Sequence, residues 1–537
     1  MTFLSGAVQR LALVAGLSVV LLSCTGAPAL ADGVASGGDV VVAQTLGDRE
    51  LTVVLRRVTS VPGPVSVDVI THIGAAPGQL TVALIPTGSS AAASELPAAG
   101  VPTGEATIAL GAAPGTYSTA VTVDRPGPWE LELGDGERTA LIPFVVPAQV
   151  ISPLERVVYG GFIAAGVFLL VAGVVAARAR STGWTLLPAA GVLVGLSMAV
   201  TAAVLSTSLP LPPQPGTQLD PTVDNVTNPY ALSKPLIVDY SRPPVLLTLP
   251  TTPVSTGTPI DLDLGLSDGS TGLPIDDILV HDAALIHLLL VGPTGQLWHL
   301  HPIRTAPGHY QQHVTLPVPG HYALSAELVR RGGGVQMVRA AAGLDVTEGP
   351  AGAHTEPDTA RAATPRPTHL DTTADTADTV VDGIAVTVTT TRPAAGIPVT
   401  VAARIGDTAD LQPWLGMVGH LIVAGPLPAN DSTDVGTAVQ SAPIWAHTHS
   451  MGGMSMPDGP MPGTQMDDGM DAMIAMNPVN GDSAPDETVA AYGPDVPFTF
   501  TFPAAGQYRL WLQVERNYRV LTVPVLLDVT PSAAAPQ

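Results

Sequence analysis

The feature that most constrains this chain is an internal repeat. Ala113-Pro114-Gly115-Thr116-Tyr117 leads to Val121-Thr122-Val123 and then Pro126-Gly127-Pro128-Trp129. Ala306-Pro307-Gly308-His309-Tyr310 leads in the same way to Val314-Thr315-Leu316 and Pro319-Gly320-His321-Tyr322, at a constant offset of 306 − 113 = 193 positions. A looser third copy reads Phe500-Thr501-Phe502-Pro503, then Gly506-Gln507-Tyr508-Arg509-Leu510-Trp511-Leu512. Self-similarity of this kind marks one supersecondary unit used three times. Each copy predicts two strands joined by a Pro-Gly turn, with an aromatic just after the turn to plug a core. Alternation agrees, since Trp129, Leu131 and Leu133 share one strand face and Glu130 and Glu132 the other. Short alternating runs precede each copy, among them Leu51-Thr52-Val53-Val54-Leu55 and Ile384-Ala385-Val386-Thr387-Val388. One residue in five is Gly or Pro (55 and 53 of 537), which disfavours helical bundles. The expected fold class is all-β, with three immunoglobulin-like β-sandwich modules over 32–150, 236–348 and 380–530.

Two stretches break the pattern. Residues 157–177 and 184–209 carry no charge, and the first would extend ~31 Å as a helix, enough to cross a bilayer core. Arg178 and Arg180 lie in the short connection 178–183, which predicts a transmembrane hairpin with a cytoplasmic loop. Neither span holds an ionisable residue, so the hairpin reads as an anchor and not as an ion pathway. Residues 1–31 read as a signal segment, with Ala29-Leu30-Ala31 as one processing site and the lipobox-like Leu21-Leu22-Ser23-Cys24 as the other. The expected location is the cell membrane, with both termini of the mature protein extracytoplasmic. Residues 210–235 read as a Pro-rich linker and 349–379 as a disordered one. A net charge of −23 with Lys234 as sole lysine excludes a nucleic-acid footprint, and one cysteine, Cys24, excludes disulfide frameworks and thiolate zinc sites.

The histidines gather after the hairpin, in two clusters of one plan. His287 leads an apolar run into Gly292-Pro293-Thr294-Gly295 and back through His299-Leu300-His301. His420 leads a second run that returns, after a longer connection, through His447-Thr448-His449. In H-x-H on a strand both rings point to one face, roughly 7 Å apart at Cα. A three-residue loop with Gly295 left-handed would set His287 opposite His301 on that face, whereas a two- or four-residue loop would send it to the other. The first copy carries Ala106 and Ile108 at the columns of His299 and His301, so the scaffold does not need these histidines. His309, His313 and His321 read as accessory, with His313 facing solvent; His72, His354 and His369 read as bystanders.

Directly after His449 come Met451, Met454, Met456 and Met461, in a loop (450–477) holding eight of the 12 methionines. Gly, Pro and Asp separate them, so neither helical nor strand period emerges and a core role fails. Thioethers are soft ligands that select Cu(I), and imidazoles suit copper in both oxidation states. The expected ligands are His420, His447 and His449 with Met451, Met454, Met456 and Met461, plus His287, His299 and His301 as a second site. A flexible low-complexity loop is the plainer alternative.

Trp414-Leu415-Gly416-Met417-Val418-Gly419-His420 with His447-Thr448-His449, and His287 with His299-Leu300-His301-Pro302, resemble the YtkA-like domain family. Those are extracytoplasmic immunoglobulin-like modules related in outline to CopC-type copper-resistance proteins. The resemblance covers 255–348 and 380–530, and more faintly 40–148. The chain departs from the pattern at Ser450, where a proline is usual, and at Ile286, where a glycine is. It lacks the mature N-terminal histidine of CopC proteins, so their Cu(II) site does not carry over. The resulting expectation is a membrane-anchored protein that binds, buffers or transfers copper or another soft metal ion such as silver, with a membrane transport or assembly protein as partner and no organic cofactor. No catalytic residue set is apparent, and the sole cysteine lies in the signal region, so an enzyme is not expected. An assembly module with structural histidines is the alternative reading.

Overall fold

The computed structural model describes residues 39–146, 152–206, 243–349, 366–428, 434–450 and 486–532, apart from 57, 59–60, 88–100, 250–252, 331–333 and 372–374. The signal segment, the Pro-rich linker and the methionine-rich loop fall outside the described residues.

The fold is mostly β. The first module comprises β1 (Val40–Leu46), β2 (Arg49–Leu55), β3 (Gly63–Thr71), β4 (Gly78–Pro86), β5 (Gly104–Leu110), β6 (Gly115–Val123), β7 (Gly127–Gly134) and β8 (Thr139–Val146). They form sheets in the orders β1-β2-β3-β6 and β5-β4-β7-β8. The second comprises β9 (Val245–Thr248), β10 (Val254–Ser255), β11 (Ile260–Asp268), β12 (Ile278–Leu279), β13 (His287–Val291), β14 (Leu297–Leu300), β15 (Ile303–Ala306), β16 (His309–Val314), β17 (Gly320–Arg330), β18 (Gly334–Arg339) and β19 (Leu344–Thr347). Its sheets run β15-β16-β11-β9 and β10-β19-β17-β13-β14. The third comprises β20 (Thr368–Leu370), β21 (Thr376–Val381), β22 (Ile384–Thr390), β23 (Pro398–Ile405), β24 (Leu411–Gln412), β25 (Gly419–Gly425), β26 (Ile444–Ser450), β27 (Asp495–Thr501), β28 (Gly506–Arg516) and β29 (Arg519–Val529), with a short helix Val435–Ser441 between β25 and β26. Its sheets run β21-β22-β23-β27 and β20-β29-β28-β25-β26.

The expected linker 349–379 is shorter than its composition suggests, because β20 and β21 lie within it. Strand β21 pairs along its whole length with β22, and a single inward row of Ala377, Thr379 and Val381 suffices for an edge position. Too few apolar residues marked that row for the sequence to show it. His369, expected to be a linker bystander, stands on β20 with its Nε2 2.9 Å from Asp528.

The repeat has a common physical basis. Trp129, Tyr322 and Tyr508 are all buried, and each donates a hydrogen bond to the carbonyl four residues earlier: Arg125 at 3.1 Å, Val318 at 2.8 Å and Ala504 at 2.8 Å. Two residues before each aromatic, Gly127, Gly320 and Gly506 take φ of 125°, 137° and 139°. Only glycine enters that region freely, which explains the Gly in every copy.

Strands β13 and β25 are buried along their whole length on both faces. One face of each is core: Leu288 and Leu290 belong to a cluster continuous through the first and second modules, and Leu421 and Val423 to that of the third. The other faces meet: Leu289, Val291 and Ala323 pack with Ile422, Ala424, Trp445 and Trp511 across the module boundary. Burial on two sides accounts for the unbroken apolar runs after His287 and His420, and each large side chain there contributes ~1.5–3 kcal/mol. Edge strand β1 of the first module adds onto the second, with Ala43 N–H donating to the Ala283 carbonyl (2.6 Å) and Thr45 N–H to that of His301 (2.8 Å).

The apolar helices form a separate unit. Pro153–Arg178 opens on a capping box between Ser152 and Glu155, and Leu186–Ser206 follows a one-turn helix at Thr182–Thr185. Both are long and apolar enough to cross a membrane. Small residues let them touch: a Cβ on Gly195 would stand 2.8 Å from the Gly161 carbonyl oxygen.

Candidate metal centre

The loop after β13 decides which way its histidine faces. Gly292 N–H donates to the Gln296 carbonyl (3.0 Å) and Gly295 takes φ 86°, leaving a three-residue loop, 293–295. Leu288 pairs with Leu300 and Leu289 with His299, which places His287 opposite His301. In the third module His420 pairs with His449 and Ile422 with His447. Each trio thus occupies one sheet face, the face turned to the other module.

The sequence suggested two sites; the structure joins them in one. Rings of different trios stand as close as rings within one. Centroids lie 5.0 Å apart for His299–His447, 5.2 Å for His287–His447 and 5.6 Å for His299–His420, against 5.2 Å for His287–His299. Local strand spacing could show each trio but not that two sheets pack face to face. Trp414 walls the cluster, 5.1 Å from His299 and 5.0 Å from His420.

Four of the six rings turn one nitrogen outward to a hydrogen-bond acceptor, and the other two face carboxylates at longer range. His287 Nε2 donates to the His281 carbonyl (3.0 Å) and His420 Nε2 to the Trp414 carbonyl (2.9 Å), in both modules the carbonyl six residues earlier. A two-residue turn with positive φ presents each carbonyl, at Asp282-Ala283 and at Leu415-Gly416. His299 Nδ1 meets Gln513 Oε1 at 3.0 Å and His301 Nδ1 meets the Glu50 carboxylate. His447 Nδ1 lies 3.4 Å from Glu327 and His449 Nδ1 3.5 Å from Asp282. Where the ring proton is outward the inward nitrogen is a lone pair: Nδ1 of His287 and His420, and Nε2 of His299 and His301; His447 Nε2 also faces the cluster. Two pairs of these approach closely, His287 Nδ1 to His299 Nε2 at 3.0 Å and His420 Nδ1 to His447 Nε2 at 3.1 Å. The first pair sets two lone pairs together, which repel unless a cation lies between them; in the second, His447 Nε2 can donate to His420 Nδ1, a proton that a shared ion would replace, and nitrogens sharing one ion at about 2.0–2.1 Å stand about that far apart. Among the described residues, His301 Nε2, His449 Nε2 and His447 Nδ1 are buried without a hydrogen-bond partner. Histidines held from behind by carbonyls and carboxylates, with the other nitrogen free, have the arrangement of metal ligands.

Burial, reinforced by neighbouring imidazoles, holds His287, His299 and His447 well below the ordinary imidazole range, and His420 at about 3. Neutral rings are what a metal requires. Burial also raises Glu327 to about 8, partly opposed by His281.

Several contributors went unseen in the sequence. Glu50, from the histidine-poor first module, holds His301, and its Oε2 accepts from Thr45 Oγ1 at 2.8 Å. His72, expected to be a bystander, is buried with Nδ1 on Glu515 and Nε2 3.2 Å from Thr52 Oγ1, tying the first module to the third. His313 does not face solvent: Asp261 (2.7 Å) and Arg138 (3.0 Å) enclose it. The contacts of Glu50 with His301, His72 with Glu515 and His313 with Arg138 join residues 175 to 443 positions apart, beyond any local pattern. Met451, Met454, Met456 and Met461 lie outside the described residues; Met451 directly follows Ser450, the last residue of β26.

Among protein families, a domain of unknown function (DUF8832) matches residues 466–531. No curated protein matches this chain. Among solved structures, a Salmonella α2-macroglobulin mutant aligns with 92% of the chain at 9% identity and TM-score 0.15, and this chain spans about a fifth (21%) of its length. A tetra-tandem repeat from the extending region of a large adhesion protein aligns with 92% at 12% identity and TM-score 0.14, covering 74% of that chain. A putative membrane-anchored protein from Corynebacterium diphtheriae aligns with 91% at 10% identity and TM-score 0.14, covering 94% of it. Likenesses this low carry no argument.

Proposed function

We propose that this is a membrane-anchored extracytoplasmic protein that binds copper and buffers or transfers it, through a composite six-histidine centre between its second and third modules. The observation that carries the reading is six imidazoles packed together on facing sheet faces, four of them held from behind by an acceptor, with two nitrogen pairs 3.0 and 3.1 Å apart. His287, His299 and His301 hold one ion and His420, His447 and His449 another. Imidazole accepts copper in both oxidation states, and the adjoining methionines favour Cu(I), so the loop and the centre together suit ligand-by-ligand exchange. The modules are of the immunoglobulin-like, YtkA-like type, the helical hairpin is the anchor, and the role is binding, not catalysis.

The test is copper content of the purified full chain in detergent, after loading and dialysis. We expect at least two copper ions per chain, lost together in His299→Ala/His447→Ala, and weaker Cu(I) retention without residues 450–477. Unchanged copper content in the double variant would refute the reading. The whole chain is needed because a fragment of the third module alone carries half the centre.

A further inference from the structure

The second and third modules supply equivalent positions to the centre, and comparing them exposes an addition. His287 corresponds to His420, so His281, six residues before it, corresponds to Trp414, and Asp282 to Leu415; both pairs open the same turn, bridged His281 to Ala284 and Trp414 to Met417. On the neighbouring strand His287 pairs with Glu327 and His420 with Gln513, so Glu327 corresponds to Gln513. The third module builds its half of the centre with Trp, Leu and Gln at these places. The second module instead has an imidazole and two carboxylates, none of which the fold requires.

These three side chains converge. His281 Nε2 lies 2.9 Å from Asp282 Oδ2 and 3.8 Å from Glu327 Oε1, and one donor atom from each lies within 4.8 Å of the others. The group adjoins the six-histidine cluster directly: Glu327 faces His447 Nδ1, which is fully enclosed and has no hydrogen-bond partner, and Asp282 faces His449. It also reaches outward. The His281 side chain is 33% exposed, against 1% for His287 and 0% for His420. His449 is the penultimate residue of β26, two positions before Met451.

We propose that His281, Asp282 and Glu327 form a third cation site, for a divalent first-row metal ion, and that an incoming ion occupies it before passing to the six-histidine centre. One imidazole and two carboxylates neutralise a divalent charge and bind harder ions than an all-imidazole set does. The proposal rests on the copper-binding reading for its destination, while the site itself stands on its own three ligands.

The experiment uses the full chain in detergent and Cu(II), with His281→Ala, which removes one of the three ligands and leaves in place the six cluster histidines and the carboxylates facing His447 and His449, beside His299→Ala/His447→Ala. Bound Cu(II) is counted after dialysis, and loading is followed by stopped-flow absorbance. We expect His281→Ala to hold one ion fewer than wild type and to fill the remaining sites at least severalfold more slowly. His299→Ala/His447→Ala keeps one ion, which separates this site from the cluster. His281→Ala with the full wild-type complement overturns the site. Loss of an ion with the cluster filling at the wild-type rate overturns its place on the uptake route. If the double variant keeps its full copper and His281→Ala loses one ion, the copper-centre reading fails and this site survives.

Discussion

Replacing Glu50 by Gln isolates what the first module contributes to the metal centre. The Glu50 carboxylate accepts from His301 Nδ1 on one oxygen and from Thr45 Oγ1 at 2.8 Å on the other. Gln keeps the volume and one acceptor, and removes the charge. Hydrogen bonds to charged groups contribute ~1.5–3 kcal/mol against ~0.5–1.5 for neutral ones, so about 1–1.5 kcal/mol is withdrawn from the bond that makes Nε2 a strong donor. At about 1.4 kcal/mol per decade this is roughly tenfold in affinity, the lower end of the 10–100-fold range typical of such outer-shell partners. An amide turned to offer N–H to Nδ1 would move the ring proton to Nε2 and deepen the loss. The effect falls on the trio His287, His299 and His301 and leaves the other trio unchanged. Competition titration of the full chain against a chromophoric chelator should show one of the cluster's two binding steps weakened about tenfold or more. Equal weakening of both steps, or less than a twofold change in either, would refute the reasoning.

Two further outcomes follow from packing and charge. Burial alone would lower His72, but the Glu515 carboxylate overrides it and raises the imidazole to about 9 from 6.5. A raised folded-state pKa makes the stabilisation complete below pH 6.5 and lost as pH climbs through 9, on the order of 3 kcal/mol; the gap in denaturation midpoint between wild type and His72→Asn should be wide at pH 6 and closed by pH 9.5, and a gap constant with pH would contradict this. In the hairpin, Gly195→Leu puts a side chain 2.8 Å from the Gly161 carbonyl oxygen and 2.9 Å from Ala165 N, backbone atoms that cannot step aside; helical melting in detergent should drop markedly, while Leu193→Ala, at a 46% exposed position, should leave it unchanged.

Much of this architecture was legible because its signals are local. The Pro-Gly turn and following aromatic recur since each copy needs a positive-φ glycine and a plug two residues later, and both survive as letters in the chain. The face shared by His287, His299 and His301 follows from strand period two and from Gly295, a residue able to close a three-residue loop. The apolar helices declared themselves by length. Edge strand β21 was missed for the converse reason: one half-apolar row among Thr and Asp resembles a linker until β22 pairs with it.

The sequence by itself determined the two histidine trios and the strands that carry them, because alternation along a strand is a property of neighbouring residues. Packing between modules makes the trios one centre, sets Glu50 of the first module and Gln513 of the opposing sheet behind its rings, and stands His281, Asp282 and Glu327 at its edge. Those partners lie 251 positions from His301 in the case of Glu50 and 214 from His299 in the case of Gln513. Their proximity follows from apolar faces pressed together between modules, and a face-to-face packing leaves no periodicity in the chain from which to read it.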